Sequence, residues 1–220
     1  MSVIICAKNE EQSIGEVICS VMPHAGEVLV VDGHSYDRTR EVARDLGACV
    51  TLDRGKGKGD AIRTGIAKAR GDIIVFIDAD GSHEPSDIPR LVAPILDGEA
   101  DIVIGSRGRG GSDEAWGTIE NFIRNTGGHL LTLALNYRFG VSLTESLNGF
   151  RAISAPVARA LDLKEDTITI EQEMLTKCLT MGYRVAEVPS HEYKRKFGRS
   201  RFRVWRVLPR CVWLVVKYLI

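Results

Sequence analysis

The chain has 220 residues, 44% of them hydrophobic and 26% charged, which is ordinary for one globular domain with a substantial core. Lys plus Arg and Asp plus Glu each number 29, so the formal net charge is zero and no global field draws the protein to nucleic acid. Five cysteines (Cys6, Cys19, Cys49, Cys178, Cys211) lack the C-x-x-C spacing of a zinc site and the density of a disulfide scaffold, and read as reduced and cytosolic.

The first apolar burst, SVIIC (2–6), is too short for a secretory signal before Lys8 and the acidic pair Glu10 and Glu11. It reads as a strand, as do EVLVVD (27–32), ACVTL (48–52), IIVFI (73–77) and DIVIG (101–105). None alternates with polar residues, so each is expected to be buried on both faces. Ile14, Val17, Ile18 and Val21 make one helical stripe, and Ile88, Leu91, Val92, Ile95 and Leu96 make another. Ser86 is placed to cap the second helix and Gly98 to close it, while Gly47 and Gly71 follow two other helical runs. This alternation predicts an α/β fold, a mostly parallel central sheet covered by helices, with ligands outside the carboxyl ends of the strands. Asp32 ends the second strand and Asp78 with Asp80 ends the fourth, so these carboxylates are expected on one rim.

After Gly105 the rhythm changes. RGRGGSDEAWG (107–117) is glycine-rich and charged and reads as a mobile loop over that rim. A helical run from Ile119 to about Tyr137 follows, then the glycine turn LNGFRA (147–152), two shorter helices and the strand YRVAEVP (183–189). In the tail (201–220), Arg203, Arg206, Arg210 and Lys217 fall within about 60° of one another on a helix among Val, Leu, Ile and Trp. Residues 1–202 are therefore read as one domain and 203–220 as a basic amphipathic helix, kinked by Pro209 and suited to the membrane interface. It is too charged and short to span, since a span needs roughly 20 apolar residues.

Asp78-Ala79-Asp80 carries the chemistry. Two acids one residue apart at a strand end can grip a hard divalent cation, Mg²⁺ or Mn²⁺, and leave positions for phosphate oxygens and water. Asp87 reads as a capping or turn carboxylate instead. His34, His83, His129 and His191 show no metal-ligand spacing and read as structural.

The segments IICAKNEEQSI, VLVVDGHSYDRT, GKGKGDAIRTGIAKARGD, FIDADGSHEPSDIPRL, DIVIGSR, LNGFRA and YRVAEVPSHEYKRKFGRSR occur in this order over residues 1 to about 202. Together they resemble the family 2 glycosyltransferases of the GT-A fold, most of all the dolichyl-phosphate mannose and glucose synthases. The resemblance implies inverting transfer of a hexose from a nucleotide sugar, GDP-mannose or UDP-glucose, to a polyprenyl (dolichyl) phosphate. It implies that Ala7, Lys8, Asn9, Glu10, Asp32, Lys58 and Asp78 border the nucleotide and that Asp78 and Asp80 hold the metal. It further implies that Arg107, Arg124 and Arg195 act with Asp80 in catalysis by facing the donor and acceptor phosphates, a task that suits guanidinium forks. The chain departs from the family pattern at Ser82, where Gln often joins the metal, at Gly33 in place of a second acid, at Lys8 in place of Tyr, and at Glu145 in place of Asp. Trp116, with Asp113 and Glu114, is placed to close over the sugar.

A phosphate monoester with a second pKa near 6 is already a nucleophile at neutral pH and needs no strong base. The enzyme then supplies alignment, metal neutralisation of the leaving diphosphate, and arginines. A sugar-hydroxyl acceptor is the alternative, and would need Glu145, Asp113 or Glu114 as base. A non-catalytic nucleotide-sugar-binding protein is a further alternative, whereas a sugar nucleotidyltransferase is disfavoured by CAKNEEQ where that class carries a Gly-rich, Arg-containing loop. The expected location is cytoplasmic, peripheral on the inner face of the membrane.

Overall fold

The computed structural model describes residues 1–113, 119–198 and Trp213, apart from the side chains of 119–121 and 124. The first four strands, β1 (Ser2–Ala7), β2 (Glu27–Asp32), β3 (Cys49–Leu52) and β4 (Ile73–Asp78), run parallel. They are linked by α1 (Ile14–Val21), α2 (Thr39–Asp45) and α3 (Lys58–Lys68). Helix α4 (Ile88–Leu96) leads into β5 (Ile102–Ser106), a short helical turn α5 (Arg107–Gly110) and the long α6 (Ile119–Phe139). Then come β6 (Arg151–Ser154), α7 (Ala155–Ala160), α8 (Ile170–Thr180) and β7 (Val185–Pro189). The sheet order is β3-β2-β1-β4-β6-β5-β7, with β6 antiparallel to both of its neighbours.

The unbroken apolar runs are explained by a core on each face. Val3, Ile5, Val28, Val30, Val75 and Ile77 point to one side, where Ile14, Val17, Ile18 and Val21 of α1 and Ile88, Leu91 and Val92 of α4 cover them. Their neighbours Ile4, Leu29, Val31, Ile74 and Phe76 point to the other, against Ile62 and Ile66 of α3, Val157 of α7 and Met174 of α8. Each fully buried aliphatic side chain contributes about 1.5–3 kcal/mol relative to exposure, so both faces favour this pairing register.

Four local expectations are corrected. Strand β3 lies at the sheet edge, and its Cys49 and Leu52 are exposed rather than buried on both faces. Ser86 does not cap α4: it sits in the 3₁₀ turn Pro85–Asp87, where its N–H donates to Glu84 Oε1 at 3.2 Å. The loop after Gly105 is not uniformly loose, because Ser106 Oγ caps α5 through the Arg109 N–H at 3.2 Å and Ser112 bridges to Glu192. Strand β6 lies where the sequence suggested only a turn. Its first residue, Arg151, is fully buried and donates to the carbonyl oxygens of Asn148, Ser146 and Glu171.

Helix α6 packs Leu131 and Leu135 inward, the latter in a small cluster with Ile104, Leu143 and Leu175, and leaves Leu130, Leu133 and Tyr137 exposed. The basic tail strip, Arg203, Arg206, Arg210 and Lys217, lies outside the described residues, as do Glu114 and Trp116. Among the described residues no helix is long and apolar enough to cross a membrane.

Candidate active site

Strands β1 and β4 lie side by side, and the chain proceeds from them in opposite directions across the sheet. A crevice opens at the carboxyl ends of strands at such a switch point. Register sets what stands there: Ala7 pairs with Asp32 and Cys6 with Asp78, so the two acids sit one residue apart at the rim. Asp80 follows in the turn after β4, with Gly81 in the left-handed region at φ +73°.

Asp32 is fully buried. Its carboxylate accepts from the Ser35 N–H at 3.0 Å and from Ser35 Oγ at 2.5 Å, and Arg40 Nε stands 3.6 Å away. It braces the β2 turn. Asn9 is in the left-handed region at φ 54° and is clasped to that same turn, its N–H donating to Ser35 Oγ and its Oδ1 accepting from the Tyr36 N–H. Gly33, where the family often has a second acid, lies against Lys8, whose stem is 3.4 Å from where a Cβ would be.

Asp78 accepts from Lys58 Nζ at 2.7 Å, and Lys58 also reaches Glu171 Oε1 at 2.8 Å. Burial works against ionisation of Asp78, yet the Lys58 ammonium and then His83, with Nε2 3.6 Å away, hold its carboxyl well below the usual carboxylate range. Burial likewise opposes charge on Lys58, and the Asp78 and Glu171 carboxylates overcome it and raise its pKa. Gly149 approaches closely here: a Cβ would stand 3.0 Å from Lys58 Nζ and 3.1 Å from Asp78 Oδ2, so both side chains would have to give way. The bare backbone leaves a gap lined by one ammonium and two carboxylates, and Glu171 Oε2 is buried without a hydrogen-bond partner. Burial pushes the thiol of neighbouring Cys6 up to about 12, so it is neutral and not a nucleophile.

Asp80 is the acid best suited to a metal. Its Oδ1 is fixed by the Ser82 N–H at 3.1 Å and Ser82 Oγ at 2.7 Å, which leaves Oδ2 toward the crevice. Ser82 thus orients Asp80. One direct carboxylate plus water and phosphate oxygens is how hard cations are commonly bound at phosphate sites. Asp80 fits that donor set, and Asp78 joins it if Lys58 yields one oxygen. Among the described residues no cluster of three or more His, Cys, Asp or Glu forms an all-protein metal cage.

The arginines come from the other half of the sheet. Arg107 Nε donates to Glu145 Oε2 at 2.7 Å and Nη1 faces Glu192 Oε1 at 3.2 Å. Arg195 joins Glu10 and stands 3.9 Å from Asp80 Oδ2. Arg124 lies on α6, with its side chain outside the described residues. Glu145 is buried and its Oε1 accepts from the N–H groups of Ser146 and Leu147. Burial pushes its pKa up, but the Arg107 guanidinium outweighs this and holds it below the usual range. Such a carboxylate is a poor general base.

Residues 190–196 lie across the crevice as a strap. Tyr193 N–H donates to Ser82 O at 2.8 Å, and Lys194 N–H donates to Asp113 Oδ2 at 3.2 Å. His191 has a carbonyl and a carboxylate as partners, Gly110 O and Asp113 Oδ1, both at 3.0 Å, an arrangement that favours the doubly protonated ring and raises its pKa. Glu171, Glu192 and the Glu10–Arg195 pair were not legible as a set. Glu171 lies on α8, whose residues 170–176 are all buried, and it was not among the residues singled out from sequence.

The family model described as "Glycosyl transferase family 2" matches residues 2–153. The chain is 32% identical over 192 residues to the Haloferax volcanii protein named "Glycosyltransferase AglJ", covering 86% of this chain and 62% of that relative. It is 28% identical to the "Dolichyl-phosphate hexose transferase" of the same organism, covering 91% of this chain and 86% of the relative. In structure it is similar to Mycobacterium tuberculosis glucosyl-3-phosphoglycerate synthase in complex with Mn²⁺, UDP-glucose and phosphoglyceric acid, with TM-score 0.78 and 25% identity over 99% of this chain and 79% of that one.

Proposed function

The chain belongs to glycosyl transferase family 2, and from that premise we propose that it moves a hexose from a nucleotide sugar to a polyprenyl phosphate, with inversion at the anomeric carbon. One observation carries the acceptor assignment: Arg107 and Arg195 stand in the crevice, while Glu145, a candidate base for a hydroxyl acceptor, already accepts from Arg107 Nε at 2.7 Å and from the Ser146 and Leu147 N–H groups. A phosphate dianion needs no base, whereas a sugar hydroxyl does. The likeness to a dolichyl-phosphate hexose transferase supports the same reading.

Asp80, with Asp78, would hold the Mg²⁺ or Mn²⁺, which when bound neutralises charge on the leaving diphosphate. Ala7, Lys8, Asn9, Glu10 and Asp32 form the nucleotide side of the crevice. Lys58 and Glu171, beneath Gly149, offer one donor and one acceptor to hexose hydroxyls. Arg107, Arg124 and Arg195 hold the phosphates and bring two polyanions within reach of each other. The tail 203–220 would keep the protein on the cytoplasmic membrane surface, where a polyprenyl phosphate presents its head group.

The structural likeness to glucosyl-3-phosphoglycerate synthase favours a second reading, a small soluble phosphorylated acid as acceptor. Purified protein with Mn²⁺, a short-chain polyprenyl phosphate and labelled GDP-mannose or UDP-glucose separates them. The expected result is label in the organic phase from one donor, abolished by EDTA. No lipid label, with nucleoside diphosphate released when phosphoglycerate is added, would overturn the lipid assignment.

A further inference from the structure

The Arg195 guanidinium lies between carboxylates from two sides of the crevice. Its Nη2 donates to Glu10 Oε1, and its Nε stands 3.9 Å from Asp80 Oδ2. The two contacts differ in strength and in backing. The first is a charge-assisted hydrogen bond to a braced partner: Glu10 Oε2 accepts from Ser13 Oγ at 3.2 Å, and the Glu10 N–H donates to Thr39 Oγ1 at 2.8 Å. The second is longer than a hydrogen bond, and it involves the one Asp80 oxygen that Ser82 leaves available. The Arg195 and Asp80 side chains are only 17% and 22% exposed, so their charges act through less water than on an open surface.

We propose that Arg195 is the resident counter-cation of the metal-binding acid, displaced when the divalent cation enters, and that Glu10 is the positioning residue on which it turns. The inference rests on the reading of Asp80 as the metal carboxylate. A divalent cation and a guanidinium a few ångströms apart on one oxygen repel each other. Cation entry therefore moves the arginine off Asp80 while Glu10 keeps it at the crevice. The strap backbone is anchored independently through Ser82 O and Asp113, so the side chain moves rather than the segment. Order follows from charge. Before the metal enters, Glu10 and Asp80 already match Arg195 and repel an incoming phosphate; afterwards Arg195 is available to the acceptor dianion.

Mn²⁺ alone, without nucleotide, is titrated into wild type, Arg195→Met and Glu10→Gln, with free Mn²⁺ read by electron paramagnetic resonance. Arg195→Met removes the competing cation and is expected to tighten Mn²⁺ binding on the order of tenfold. Glu10→Gln leaves Asp80 as the carboxylate nearest the arginine and is expected to weaken Mn²⁺ binding several-fold. Unchanged or weaker binding in Arg195→Met overturns the displacement, and tighter binding in Glu10→Gln overturns the role of Glu10. No sugar donor or acceptor is present, so this titration reads the inference even if polyprenyl phosphate proves not to be the substrate. In the transfer assay Arg195→Met should need less Mn²⁺ for half-maximal rate yet show a raised acceptor KM. Both moving the same way would indicate a merely structural arginine and sink the idea.

Discussion

The two halves of the sheet hold their functional groups by different means. From β1 to β4 the acids are placed by backbone: parallel register sets Asp32 opposite Ala7 and Asp78 opposite Cys6. From β5 onward the basic groups are placed by side chains that cross long stretches of sequence, Arg107 on Glu145 and Glu192, Arg195 on Glu10, and Arg151 on three carbonyl oxygens. Register is a cooperative property of a buried sheet, whereas an ion pair is lost with one substitution. The first half should therefore tolerate change at single polar groups better in stability, and the second half should not.

The largest expected effect tests that contrast. Arg151→Met leaves the carbonyl oxygens of Ser146, Asn148 and Glu171 without their buried donor, and thermal denaturation should show a loss of about 3–5 kcal/mol. A loss below about 1 kcal/mol would remove Arg151 as the organiser of the second half. Asp80→Asn should fold normally, because Asp80 is partly exposed at the rim, yet lower transfer by on the order of 10²–10³-fold. Equal metal dependence in that variant and wild type would dismiss Asp80 as the metal acid. Glu171→Gln keeps shape and removes the charge that helps hold Lys58, so the donor KM should rise about tenfold with little change for the acceptor.

The smallest effect concerns pH. His191 has its pKa raised by the Asp113 carboxylate and the Gly110 carbonyl, so the protonated ring favours the folded arrangement. That contribution is complete below the unfolded histidine value near 6.5 and is lost as pH rises through the higher folded value. Intrinsic amide exchange aside, protection at the Lys194 N–H, which donates to Asp113, should fall across this window and become flat in His191→Asn. A flat profile in wild type would contradict a role for the His191–Asp113 contact in holding this segment.

The same contrast explains what the sequence made legible. Apolar runs buried on two faces announce strands and their ends, so β1, β2, β4 and β5 could be read directly, and with them Asp32 at the end of β2 and Asp78 with Asp80 at the end of β4. Strand β6 could not: it has four residues and opens with a buried arginine, whose hydrogen bonds replace the missing apolar signal. The edge position of β3 was hidden because an edge strand and a central one can share a sequence. Lys58 faces two acids, and Glu171, its partner, lies more than a hundred residues away. Pairings across such distances leave no periodic trace. The resemblance to the family supplied the arginines, and their carboxylate partners emerged only in three dimensions.

In the proposed chemistry the acceptor's own phosphate is the nucleophile and no carboxylate acts as base. The most direct measurement is the pH dependence of kcat/KM for transfer to a polyprenyl phosphate, in wild type and Glu145→Gln. A rise through an apparent pKa near 6, that of the phosphate, is expected in both proteins. Loss of that ionisation in Glu145→Gln, together with a near-total loss of rate, would contradict it.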